Sequence, residues 1–116
     1  MAEIRYEDLY DAAAVANTEQ LLKGRLDSSV DGIMSTESEK KKITGFMGRC
    51  SNTGYLIVRL AGKTVSVIDL AVMNALTEFA PLEIDIPVGQ KVSFHEMSTS
   101  GTGSCSVTVQ YEVETS

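Results

Sequence analysis

The sequence contains no tryptophan and only one histidine, two prolines and two cysteines in 116 residues. A lone histidine, His95, rules out clustered-histidine metal sites and leaves one imidazole as a candidate general base. Cys50 and Cys105 are too few to form a disulfide framework. They can pair only if their strands meet; with no export signal in view, two free buried thiols are expected. With three Phe and four Tyr, the aromatic surface on which sugars stack is thin. Positive charge is also short: 10 Lys and Arg stand against 16 Asp and Glu, a net charge of −6. Such a chain repels phosphate backbones, so nucleic acid is not an expected partner. The one basic run, Lys40 to Lys42, sits beside Glu37 and Glu39 and reads as a solvated charge cluster.

Long apolar runs are missing. The longest apolar region, Val65 to Ala75, is broken by Ser66, Asp69 and Asn74, far short of the roughly 18 residues of a membrane span. The first residues are charged and have no signal-peptide core, and no asparagine begins a glycosylation sequon. The expectation is a soluble chain made in the cytoplasm without a signal peptide.

The length suits one domain that buries about two-thirds of its unfolded surface. From Lys42 the hydrophobic pattern has period two. Leu82, Ile84, Ile86 and Val88 alternate with Glu83 and Asp85, and Val107, Val109, Tyr111 and Val113 alternate with Thr108, Gln110 and Glu112. That parity turns Cys105 inward. Ile43–Cys50 and Tyr55–Leu60 are β-rich but less regular, and Val65–Val72, apolar on both sides, reads as a strand covered on both faces. Turn residues at Asn52–Gly54, Ala61–Lys63 and Pro87–Gln90, and a polar loop at Ser98–Gly103, separate about six strands at spacings typical of an antiparallel sandwich or small barrel. Residues 42–116 are therefore the expected β-sandwich core. Residues 1–41 read as an N-terminal arm, partly helical or irregular. Asp11–Ala16 and Glu19–Lys23 favour helix, an extended start with Leu21, Leu22 and Leu26 in the core is the alternative, and residues 27–41 form an acidic polar loop.

No motif is complete. Gly62-Lys63-Thr64 imitates the end of a phosphate-binding loop, but Ile57 stands where that loop needs glycine. Asp27, Ser29 and Asp31, followed by Gly32, resemble the first half of a calcium loop, yet Ser38 replaces the bidentate glutamate at its end. These three are a weak calcium candidate. His95 shares an outward face with Ser93, opposite to Val92, Phe94 and Glu96, and would need a nucleophile within reach, for which the Ser98–Ser104 loop is one source. Glu83 and Asp85 lie roughly 7 Å apart on one strand face, a spacing any Glu-x-Asp strand produces, and they serve solubility and edge protection. No catalytic residue and no cofactor is expected.

The hairpin rhythm of Tyr55–Val72, Pro81–Glu96 and Cys105–Glu114 resembles that of small single jelly-roll proteins: viral and phage capsid, decoration and cement proteins, and carbohydrate-binding modules. The resemblance implies a jelly-roll-like sandwich that displays loops and associates with itself or with other structural subunits, with the virion as its destination. The alternative it implies is a glycan- or ligand-binding module using Ser51, Asn52 and Thr53 with Ser98, Thr99 and Ser100.

Overall fold

The computed structural model describes residues 2–101 and 103–115. It contains ten strands and one short helix among these residues: β1 (Ala2–Asp11), β2 (Glu19–Leu21), β3 (Lys23–Gly24), β4 (Ile33–Met34), β5 (Glu39–Cys50), β6 (Gly54–Leu60), β7 (Lys63–Asp69), α1 (Leu70–Asn74), β8 (Ala80–Ile86), β9 (Lys91–Ser98) and β10 (Cys105–Thr115). One sheet has the order β3-β1-β10-β5-β8 and the other β2-β9-β6-β7, with β4 also paired to β9. Every strand pair is antiparallel. The inward residues of both sheets form one core, including Leu9, Ile43, Leu56, Val58, Phe94, Val107 and Val109.

The period-two reading holds best in β9 and β10. Val92, Phe94, Glu96 and Ser98 are buried in β9, as are Cys105, Val107, Val109, Tyr111 and Val113 in β10. In β5 the irregularity has a structural cause. The register against both neighbours shifts around Thr44, so Ile43 faces inward on one parity and Phe46, Gly48 and Cys50 on the other. A bulge makes this switch by inserting one unpaired residue. The Ala61–Gly62 turn joining β6 and β7 has φ of 51° and 84°, the two positive values of a type I′ hairpin, and not a phosphate loop.

Three expectations need correction. First, the N-terminal segment is not an arm. β1 pairs with β10 along its whole length, from Ala2↔Glu114 to Asp11↔Cys105, and the boundary at Lys42 falls inside β5. No helix forms at Asp11–Ala16 or Glu19–Lys23; Ala14 is buried and its N–H donates to Gly103 O at 2.9 Å, so tertiary contacts override alanine's propensity. Of the leucines in the extended alternative, Leu22 is buried and Leu26 is almost fully exposed.

Second, Val65–Val72 is not a covered strand. β7 is an edge strand with Val65 and Val67 exposed, and it stops at Asp69, whose carboxylate accepts from Ala71 N at 2.8 Å to cap α1. α1 tucks Leu70 and Met73 into the core. Third, Val88 is exposed beyond Pro87 and does not continue the inward row of β8. Among the described residues, no helix is long and apolar enough to cross a membrane.

Candidate functional site

The polar interior lies at one end of the sandwich. Asp11, Cys105 and Cys50 sit directly opposite one another across β1, β10 and β5, and residues opposite one another in a sheet project to the same face. Cys50 and Cys105 are joined by a disulfide, with their Cα atoms 4.1 Å apart. This corrects the expectation of free thiols. Cys50 turns its backbone away from β10: its N–H donates to Asn74 Oδ1 and its carbonyl accepts from Asn74 Nδ2, both at 2.7 Å. The pair thus occupies a non-hydrogen-bonded site of the ladder, where facing residues approach most closely.

Glu96 of β9 faces this row from the opposite sheet. It is fully buried, with Oε2 3.1 Å from Cys50 Sγ and Oε1 accepting from Asn52 Nδ2 at 3.4 Å. Burial pushes its pKa up to about 7, the nearby Asp11 charge adds to the rise, and the Asn52 hydrogen bond opposes it. Asp11 is also raised, chiefly by burial, and its Oδ2 is buried with no hydrogen-bond partner. A disulfide sulfur carries no proton, so any hydrogen between Oε2 and Sγ must belong to the carboxylic acid.

Cys50, Cys105 and Glu96 are the one group of three or more His, Cys, Asp or Glu side chains among the described residues whose ligand-type atoms lie within 4.8 Å of one another. With the sulfurs bonded to each other they offer no thiolates, and the group is a cystine against a carboxyl group.

The two loops expected to hold a ligand do meet, over this polar end. Thr53 N donates to Ser100 Oγ at 2.9 Å, and the Thr53 and Thr99 hydroxyls are 2.9 Å apart. Asn52 donates to Gly103 O at 3.1 Å and accepts from Gly103 N at 2.8 Å. Asn52 is buried and ties the loops together, and the buried Ser98 hydroxyl accepts from Ser100 N and Gly101 N within its own loop; Ser51, Thr53, Thr99 and Ser100 are exposed. Thr102 of this loop lies outside the described residues. Beside the loops is a cleft of about 390 Å³ whose lining includes Asn52, Thr53, Tyr55, Asp69, Asn74 and Thr99.

The other candidates are dispersed. Asp27 Oδ1 accepts from the backbone and hydroxyl of Ser29, whereas Asp31 is paired with Lys91 at 2.8 Å, so the calcium candidate has one carboxylate committed to a lysine. Glu83 is exposed and pairs with Lys42.

His95 meets a nucleophile that the sequence reading did not weigh: Ser93 Oγ is 2.8 Å from Nε2, with Glu19 Oε2 3.4 Å from Nδ1. Burial lowers the imidazole pKa, the Glu19 charge opposes this, and Arg59 adds to it. The order is that of a serine–histidine–acid triad, but acyl transfer also needs free donors for an oxyanion. Here β9 is flanked by β2 and β6 on its two sides, which occupies its ladder groups, and Arg59 is bound to Glu19 and Thr64.

Glu96 is the residue that sequence reasoning passed over. Its parity with Val92 and Phe94 marked it as inward, which is unusual for a carboxylate. Comparison with protein-family models, curated proteins and solved structures returned no match.

Proposed function

We propose that the chain is a non-enzymatic structural subunit that associates with copies of itself or with other structural subunits, as small jelly-roll proteins of viral and phage particles do. Strand order carries this reading. With the short β2 and β4 segments sharing the place beside β9, and β3 added at the β1 edge, β1-β10-β5-β8 faces β2-β9-β6-β7, and each sheet interleaves early and late strands. Two Greek keys wound together give this order, and it recurs in capsid and lectin domains. The fold alone does not assign a function, so surface chemistry has to supply the rest. Ile4, Tyr6 and Phe79 are exposed, and the Tyr6 and Phe79 rings stand 5.5 Å apart. Tyr55, Val65 and Val67 are exposed on β6 and β7 of the other sheet. With the N-terminal segment built into the sheet, these faces are the surfaces through which subunits would meet.

Native mass spectrometry and light scattering across concentration test the proposal. A defined oligomer that dissociates in Tyr6→Lys or Val67→Lys is expected; a monomer at every concentration overturns it. Treatment with a fluorophosphonate probe tests the non-enzymatic part, since labelling of Ser93 would overturn it.

A second reading, a glycan- or ligand-binding module, is favoured by the half-exposed Tyr55 ring at the cleft beside the two loops. It predicts glycan-array hits that Tyr55→Ala abolishes.

A further inference from the structure

We infer that Cys50 and Cys105 form a reversible redox site whose proton partner is Glu96, so that opening the disulfide releases the carboxyl proton. The geometry fixes the partners. Glu96 Oε2 is 3.1 Å from Cys50 Sγ inside a closed core. In the oxidised chain the neutral acid is the form suited to the site, because only a protonated Oε2 can donate to a sulfur that has no hydrogen. In the reduced chain the roles reverse: the Cys50 S–H donates and the carboxylate accepts. A hydrogen bond to the charged form favours that form, so reduction lowers the affinity of Glu96 for its proton.

From the elements packed against Glu96, the ionisable groups facing it are Asp11 at the end of β1 and, after reduction, the thiols of β5 and β10. Its ladder neighbours Leu56 and Gln20 do not titrate, and neither does Asn52. His95 and Glu19 lie on the outer face of the sheet.

With a small dithiol as reductant, the balance is complete. The protein S–S bond breaks and the reductant's two thiols lose two electrons as they close to a cyclic disulfide. The carboxyl proton and the reductant's two protons are then shared among two protein thiols and one proton released to solvent. One proton leaves per disulfide opened, so the exchange constant rises about tenfold per pH unit wherever the oxidised chain holds the Glu96 proton and the reduced chain does not. For a two-electron couple this factor is about 30 mV.

The test equilibrates the full chain with dithiothreitol at a series of pH values from about 5.5 to 7, below the titration of ordinary thiols near 8.5, followed by alkylation and mass measurement. The exchange constant of the unaltered chain is expected to rise with pH, that of Glu96→Gln to stay flat, and that of Asp11→Asn to keep the rise. A flat profile for the unaltered chain, or the same rise in Glu96→Gln, overturns the inference. So does loss of the rise in Asp11→Asn alone. Infrared difference spectra of the unaltered chain give a check that does not depend on any variant folding. At about pH 6.5, reduction should remove a carboxylic-acid C=O band; a band that survives reduction also overturns the inference.

Discussion

The two ends of this interior are held in different ways. At the end where β9 starts and β10 finishes, the core is Ile33, Ile43, Ile86, Val92 and Val113. The one fully buried polar side chain there, Ser35, is satisfied locally: its hydroxyl accepts from Lys41 N at 2.8 Å. At the opposite end the chain buries Glu96, Asn52, Ser98 and the cystine. Apolar packing is graded, so each methylene lost from it has a proportionate effect. A buried polar cluster is conditional, because removing one partner leaves another desolvated and unpaired. The polar end should therefore respond to redox state and pH, and the apolar end to neither.

The largest effect that would break this contrast is loss of the disulfide. It closes a sequence separation of 55 residues, and chain entropy puts its contribution at about 4 kcal/mol. Urea denaturation of Cys50→Ala/Cys105→Ala should show a loss of that order; a loss below about 1 kcal/mol would make the polar end self-supporting without the covalent link.

Next comes Glu96. Its pKa is raised from 4.5 to about 7 in the folded chain, so between these values the folded state binds more protons than the unfolded state, and stability falls as pH rises. The expected decline is about 3 kcal/mol. Glu96→Gln should match the unaltered chain near pH 4 and exceed it by roughly that amount at pH 8, as read from denaturation midpoints at the two pH values.

Asn74→Ala should cost about 2 kcal/mol, because the Cys50 N–H and carbonyl both lose their partner. The smallest change belongs to the apolar end: Ile43→Val should cost about 1 kcal/mol, with the same value at both pH extremes and in both redox states. A redox-dependent value would couple the two ends and blur the distinction.

The sequence made some strands legible because their environment is simple. β9 and β10 have one wet side and one dry side, and alternation reports that directly. β1 was hidden because its pattern is inverted. Arg5 and Glu7 lie opposite Tyr111 and Val109 on the inward face, whereas Ile4 and Tyr6 are exposed, so over its first half the hydrophobic residues point away from the core and only Leu9 is fully buried. β5 was blurred by the bulge at Thr44. The two loops suggested for binding do meet, but their closeness arises from pairing β5 with β10, a contact 55 residues apart in sequence that local pattern does not encode. The same holds for the cystine. Each cysteine read as buried, but only the register places them opposite each other and beneath Glu96.

The pairing of Ala2 with Glu114 means that the two described ends of the chain leave the sheet side by side, at the corner farthest from the cystine. The backbone is thus almost a closed ring. A linker of a few residues would complete the circuit without disturbing a strand, and the tight Ala61–Gly62 turn offers a place to reopen it. A permuted chain begun there would keep every ladder in register while exchanging the order in which the two halves emerge during synthesis.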